Sequence, residues 1–221
     1  MDAVDASLVA VCVVHEIKPD PGMIGRTAID KRPVAGPVQA GPLGLDGDTQ
    51  CDSEHHGGPD KAIYAYSEAE AQRWADELGR PALPGMFGEN LVVRGLAVTD
   101  AVVGECWQVG SEVQFQVTLP RLPCATFGRH MGQPRWVRRF AARGDVGAYL
   151  RVCRPGPVAA GDPLRRCHVP GHGVSVREVF TAIMNGPADA ARLRSLLADD
   201  TVAAELRKHL ERVLARQRAS A

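Results

Sequence analysis

The chain carries no excess charge of either sign: 26 basic residues balance 26 acidic ones. A protein that holds nucleic acid through its overall field is excluded, and any polyanion would need a local patch. No two cysteines stand in a C-x-x-C pair among the six, at positions 12, 51, 106, 124, 153 and 167, so a zinc ribbon is unsupported. A disulfide framework is equally out of place in a chain of this length with an ordinary apolar supply. No apolar run approaches the ~18 residues that span a bilayer. The first residues, Met1-Asp2-Ala3-Val4-Asp5, are acidic and lack a basic leader region, so no signal peptide is expected. There is no Walker motif, no flavin fingerprint and no iron–sulfur spacing. These absences point to a chain with free thiols in a reducing cytoplasm, away from membranes and nucleic acid.

What is present is abundant glycine and proline, 23 and 16 residues, concentrated in the first three quarters, which predicts many turns and short strands. The clearest strand runs through Val113, Phe115, Val117 and Leu119, which alternate with polar residues. It ends in Pro120-Arg121-Leu122-Pro123-Cys124, where two prolines stop ladder pairing and stiffen the backbone. Cys124 is therefore a thiol on a rigid corner with Arg121 close by in sequence. A neighbouring cation favours the thiolate, the form that binds soft metals and attacks electrophiles. The plainer alternative is a small buried hydrophobe after a strand, the fate of most free cysteines.

Along the chain, residues 7–17 predict a buried strand, 19–25 a loop, and the segment with Arg26, Lys31 and Arg32 a polar, turn-rich stretch that is either a solvated face or reaches toward an anion. Gly41–Asp48 is a tight turn region, with Asp46-Gly47 able to supply a positive φ. His55-His56-Gly57-Gly58-Pro59-Asp60-Lys61 precedes a strand over 62–66. Its glycines let backbone amides approach a ligand, and Lys61 adds a cation, a combination suited to an oxyanion. The alternative is a glycine turn with a surface lysine. Ser67 and Glu70 have the spacing of a capping box opening a helix to Leu78, stopped by Gly79. Phe87, Leu91 and Val93 are core candidates around Glu89 and Asn90, two polar groups that need partners if buried. Strands are expected over 102–109 and 112–119 around a Gly110-Ser111 hairpin. Pro134 opens a helix with Trp136, Val137, Phe140 and Ala141 inward and four arginines (135, 138, 139, 143) outward. A strand over 147–152 carries Arg151, and a short final strand ends near Arg165. Cys167, His168 and His172 are too few and too loosely placed for a structural zinc site and form part of a linker. From Ser175 the period turns helical. Ser175 with Glu178 is a second capping box, Pro187 opens a second helix, and Asp199 or Asp200 caps a third with Leu206, Leu210, Val213 and Leu214 on one stripe. Residues 1–170 are expected to form a mainly β domain, and 174–218 a three-helix subdomain too small to be very stable alone. That tail should dock on the β domain or on another subunit, which leaves a homodimer open. Its net charge of +2, from eight Arg/Lys against six Asp/Glu over 174–221, gives little support for DNA binding.

Five segments in order, GLDGD (Gly44–Asp48), HHGGPDKAIYAYS (His55–Ser67), FGENL (Phe87–Leu91), PRLPC (Pro120–Cys124) and GAYLRV (Gly147–Val152), resemble the MOSC domain, the module at the C-terminus of molybdenum cofactor sulfurases. The size and helical tail are similar to those of its free-standing bacterial subgroup, the YiiM-like proteins. The resemblance implies a strongly bent, α+β MOSC-type β-barrel. It also implies that Cys124 is the functional thiol, either carrying sulfur as a persulfide or ligating molybdenum in the molybdenum cofactor. On this resemblance the pterin phosphate would lie among Lys61, Arg121, Arg151, Gly57 and Gly58, with His56 and Asn90 near the ring. The activity implied is reduction of N-hydroxylated bases such as 6-hydroxylaminopurine, with electrons from a separate reductase. The alternative is a sulfur carrier or cofactor chaperone without turnover. Ala148 departs from relatives that often have a bulky aromatic there, which leaves the pocket shape near Arg151 open.

Overall fold

The computed structural model describes residues 6–52 and 57–219; His55 and His56 lie outside the described residues. Eleven strands are present among them: β1 (Ala6–Pro19), β2 (Arg26–Pro33), β3 (Val38–Gly41), β4 (Gly44–Leu45), β5 (Ile63–Ser67), β6 (Leu91–Arg94), β7 (Cys106–Val109), β8 (Val113–Pro120), β9 (Ala148–Arg154), β10 (Gly156–Val158) and β11 (Pro163–His168). The six α-helices are α1 (Glu68–Leu78), α2 (Ala125–Met131), α3 (Trp136–Arg143), α4 (Val176–Ile183), α5 (Ala190–Leu197) and α6 (Ala204–Ala219). Seven strands close into a barrel in the order β11-β7-β8-β9-β5-β6-β1, sealed where Ala6 of β1 meets Leu164 of β11. The architecture is thus the mixed α+β barrel expected. Its one parallel pair, β5–β6, is joined through α1, the kind of crossover that parallel strands require.

β1 is long enough to serve two structures. Its first half buries Leu8, Ala10 and Val11 between β6 and β11. From Cys12 its second half leaves the barrel and pairs with β2 as a two-stranded ribbon, with register shifts at Val14/Glu16 and Glu16/Lys18 inside it. Bulges bend and twist the strand that carries them, so they re-aim this ribbon. The polar turn-rich stretch expected at Arg26–Arg32 is therefore a strand. Its charges hid the alternation, and they are paired: Lys18 Nζ lies 2.6 Å from Asp30, and Lys31 Nζ 2.5 Å from Asp48.

A buried aromatic group fixes the helices around the barrel end. Tyr66 stacks on Phe87 with centroids 4.6 Å apart, Trp74 meets Trp136 at 4.5 Å, and Phe127 meets Phe140 edge-on at 4.9 Å. α1 and α3 thus present their apolar faces as expected, although Val137 and Ala141 are only half-buried. α2 had no counterpart in the pattern of the sequence. Gly128 sits in its middle, where Gly weakens a helix, but an added Cβ there would come within 3.2 Å of Val137, so the small residue serves the α2–α3 contact.

Of the two expected capping boxes, only Ser175–Glu178 forms, with both reciprocal bonds present. Ser67 makes no side-chain cap bond, and Glu70 turns inward to accept from the Thr99 amide at 3.3 Å. The expected strand over 102–109 begins only at Cys106, with Val102 in an isolated bridge to Ser175. Cys167 and His168 end β11 instead of lying in a linker. Asp199 bonds the Thr201 amide in a turn, and α6 starts only at Ala204. The tail helices bury Phe180, Leu193, Leu196, Leu206 and Leu210 in the same apolar cluster as Trp107 and Phe115 of the barrel, so they dock on it. No helix of the described residues is long and apolar enough to cross a membrane.

Candidate functional site

A cavity of about 590 Å³ opens between the β1–β2 ribbon, the end of the barrel and the start of α2. Cys124, Lys61, Arg121 and Asn90 all line it. Cys124 follows the two prolines, takes an extended conformation (φ −120°, ψ 171°) and starts α2 by accepting the Gly128 amide on its carbonyl at 3.0 Å. Its side chain is half-buried and faces the cavity, so it is not sealed in hydrocarbon.

Arg121 is buried, yet its guanidinium reaches the cavity wall. Nη1 donates to the Leu122 carbonyl at 2.7 Å, and the plane lies 4.1 Å from the Phe127 ring centre. Stacking and a main-chain acceptor hold the cation without a carboxylate in these contacts, which leaves its charge for the cavity. Lys61 ends a short 3₁₀ turn (Pro59–Lys61) entered through Gly58 at φ 91°. Its ammonium lies 2.7 Å from Glu205 of α6 and 5.9 Å from the Tyr149 ring centre.

Asn90 joins two of the sequence segments. Its Oδ1 accepts from the Tyr64 amide at 3.1 Å, while Nδ2 donates to the Cys12 carbonyl at 3.1 Å and to Asp48 Oδ2 at 2.8 Å. Asp48 also accepts from the Val14 amide at 3.0 Å. Thus the Asp of GLDGD and the Asn of FGENL meet at one buried knot under the cavity. Both amide hydrogens of Asn90 are committed there, so toward a ring ligand it offers only remaining acceptor capacity. Glu89 beside it accepts the Gly85 and Phe87 amides at 2.7 and 2.9 Å. Burial pushes its carboxyl up to about 7, against those hydrogen bonds and Lys31. Gly85 is required by this turn: at φ 88°, an added Cβ would lie 2.1 Å from the Lys31 carbonyl oxygen.

Arg151 is not among the lining residues. It donates through Nε to Asp60 at 2.7 Å and through Nη1 to Gln116 at 3.0 Å, so it braces the turn that carries Lys61. Gly57 and Gly58 lead into that turn and do not line the cavity either. His56 lies outside the described residues.

The ribbon wall had no place in the sequence-derived site. Thr27, Ile29 and Lys31 line it, and Met23 and Ile24 form an apolar tip. Asp20 accepts from Arg129 Nε at 2.8 Å and Nη2 at 2.6 Å and from Thr126 at 3.2 Å, tying the ribbon to α2. That guanidinium holds the Asp20 carboxyl down at about 2. A second thiol, Cys51, shares the cavity, as do the rings of Tyr64 and Tyr149. Among the described lining residues five are basic (Arg26, Lys31, Lys61, Arg121, Arg129) and two acidic (Asp20, Asp52). The only sequence signal for the ribbon was the cationic cluster at Arg26–Arg32. The arrangement can bind an anion that also carries a flat ring and a partner for a soft thiol.

Comparison with known proteins agrees with this layout. The MOSC domain family model matches residues 52–165. The chain is 34% identical to the uncharacterised protein YflK of Bacillus subtilis over 151 residues, 68% of each chain. It is 32% identical to protein YiiM of Escherichia coli over 197 residues, 88% of this chain and 85% of that one. A protein of Gibberella moniliformis named a reductase is 30% identical over 143 residues, which span 62% of this chain but 25% of that protein. Among solved structures, YiiM from Geobacillus stearothermophilus superposes with a TM-score of 0.77 at 27% identity, covering 95% of this chain and 99% of that chain. Lys61, Asn90, Arg121 and Cys124 all lie within the matched residues 52–165, and the chain belongs to the MOSC domain family.

Proposed function

We propose that this protein is a molybdenum cofactor-dependent reductase of N-hydroxylated compounds, with bases such as 6-hydroxylaminopurine as the substrate class. The observation that carries the reading is the Cys124 thiol opening into a cavity whose wall also holds Lys61 and Arg121. Those donors fit the cofactor: a soft ligand for the metal, cations for the phosphate and aromatic rings beside a flat heterocycle. When bound, the cofactor would supply the two-electron reduction of the N–O bond. The chain's own part is binding and orientation. Cys124 would hold the metal, Lys61 and Arg121 the phosphate, and Tyr64 and Tyr149 would flank the ring. Arg151 acts through Asp60 to keep Lys61 in place, and Gly58 gives that turn its entry. Asn90 braces the floor, Gly57 leads into the turn that carries Lys61, and His56 would contact the ring. The ribbon and α2, clasped by Asp20 and Arg129, wall one side of the cavity. Electrons would come from a separate donor protein, and cysteines outside any disulfide suit a reducing, cytoplasmic setting. The name of the Gibberella relative supports a reductase, in a much longer chain.

The test is metal analysis of protein made in a cofactor-competent host. About one molybdenum per chain is expected, lost on Cys124→Ser, as thiolate ligation requires. A Cys124→Ser protein that keeps its full molybdenum content would refute ligation by this residue. A second reading, a carrier of persulfide sulfur on Cys124, is favoured by Cys51 in the same cavity, a thiol that could receive the sulfur. Cyanide-labile sulfur on Cys124 without reductase turnover would select it.

A further inference from the structure

Lys61 takes its counter-ion from far along the chain. Glu205, in the first turn of α6 and 144 residues away, places both carboxylate oxygens 2.7 Å from the Lys61 ammonium. The two side chains differ in exposure, Lys61 at 8% and Glu205 at 46%. Glu205 itself lines a second, small cavity of about 90 Å³, with Leu119, Leu122, Ile183 and His209. Lys61 and Tyr149 line both cavities and so form the partition between them. Glu205 lies outside the stretch matched by the family, residues 52–165, while Lys61 lies inside it.

We infer that Glu205 is a positioning residue that sets the anion affinity of the main cavity by competing for Lys61. The inference rests on the reading of that cavity as an anion site, and it adds a control on that site. A buried ammonium is costly unless its charge is balanced, and Glu205 supplies part of that balance. An incoming phosphate must approach the same nitrogen, close to a carboxylate of like charge. Because Glu205 is half-exposed, its carboxylate can turn to water at little cost once the phosphate takes over. The ligand is then bound at the expense of one anchor of α6, and the two events are linked. Whatever α6 docking subtracts from phosphate affinity, phosphate subtracts from α6 docking.

The probe is inorganic phosphate, titrated calorimetrically into the full chain without cofactor. Glu205→Gln keeps the shape and a hydrogen-bond acceptor for Lys61 but removes the charge. It should tighten phosphate binding about three- to tenfold, the range of a partly screened ion pair. Glu205→Asp keeps the charge and should stay within about twofold of the parent. In a Lys61→Met background the gain from Glu205→Gln should vanish, as coupling through that lysine requires. Saturating phosphate should also speed amide exchange in the first turn of α6 of the parent protein. Unchanged or weaker binding by Glu205→Gln, or a gain that survives Lys61→Met, overturns the inference. If parent and Glu205→Gln bind phosphate equally while Lys61→Met weakens it, the control by Glu205 falls and the anion site stands. If none of the proteins binds phosphate, the anion site itself falls and the inference with it.

Discussion

Two buried lysines line the same cavity, each beside a carboxylate, and they are built for opposite purposes. Lys31, on the ribbon, faces Asp48, whose side chain is 1% exposed and is also held by the Val14 amide and Asn90. Lys61, on the barrel, faces Glu205, which is 46% exposed and has His209 Nε2 3.7 Å away. The cations are alike in type and burial, so the difference lies in the acids. A sealed acid with three partners cannot leave, and its lysine is part of the framework. An acid with one side in water can turn away from its lysine at lower cost. Burial of the partner, more than burial of the cation, separates a structural charge from a binding one.

The largest effect should come from breaking the sealed pair. Asp48→Asn strands the Lys31 charge and disturbs the bonds to Val14 and Asn90, and removing one partner of a buried ion pair costs about 3–5 kcal/mol. Urea unfolding near neutral pH measures it, and a loss under about 1 kcal/mol would mean that water reaches Lys31 after all. Another buried acid has no salt bridge among the described residues, although Arg177 acts on it from a distance. Glu70 of α1 is 1% exposed, bonds weakly to the Thr99 amide at 3.3 Å and leaves Oε2 without a hydrogen-bond partner. Burial raises its carboxyl from 4.5 to about 7. The folded chain therefore keeps the proton through a range where the unfolded chain releases it. Stability contributed by this group is full below pH 4.5 and is lost as pH climbs to about 7. Glu89 contributes with the same sign. Glu70→Gln should match the parent near pH 4 and exceed it at pH 8 by on the order of 3 kcal/mol at most, since each tenfold change in proton affinity is worth about 1.4 kcal/mol. Parallel stability profiles for the two proteins would show that Glu70 is ionised in the fold.

The contrast between the lysines also marks what could be seen in the sequence. Strand β8 and the proline corner were legible because apolar alternation and two prolines are local signals, and they carried the argument to Cys124. The Ser175–Glu178 cap was legible for the same reason. Ser67 and Glu70 have the same spacing but no such bonds, because tertiary burial claimed Glu70 for Thr99. The ribbon was missed because ion pairs with β1 and Asp48 replace the apolar face that a strand normally shows. Arg151 was placed at the phosphate because it lies within the GAYLRV segment, whereas its guanidinium pairs with Asp60. Glu205 gave no signal at all: one of two acids on an amphipathic helix, significant only once the barrel sets Lys61 against it.

The smallest effect is the sharpest check on the comparison. Lys61→Met removes a buried cation but leaves behind an acid that already has water on one side, so no charge is stranded. The methionine fills the stem's space against Leu119 and Tyr149, which border the same small cavity. Unfolding free energy should therefore change by less than about 1 kcal/mol, the usual worth of a pair with one exposed member. Lys31→Met differs by a single feature: it leaves Asp48 charged and sealed, and it should cost several times more. High salt adds an independent handle, because it screens the Glu205 pair and hardly reaches the Asp48 pair. Stability of the parent and of Lys61→Met should thus converge further at about 1 M salt, where the Debye length is about 3 Å, while the penalty of Lys31→Met stays. Equal penalties for the two lysines, insensitive to salt, would mean that Glu205 is as fixed as Asp48, and that the anion site has no exchangeable counter-ion.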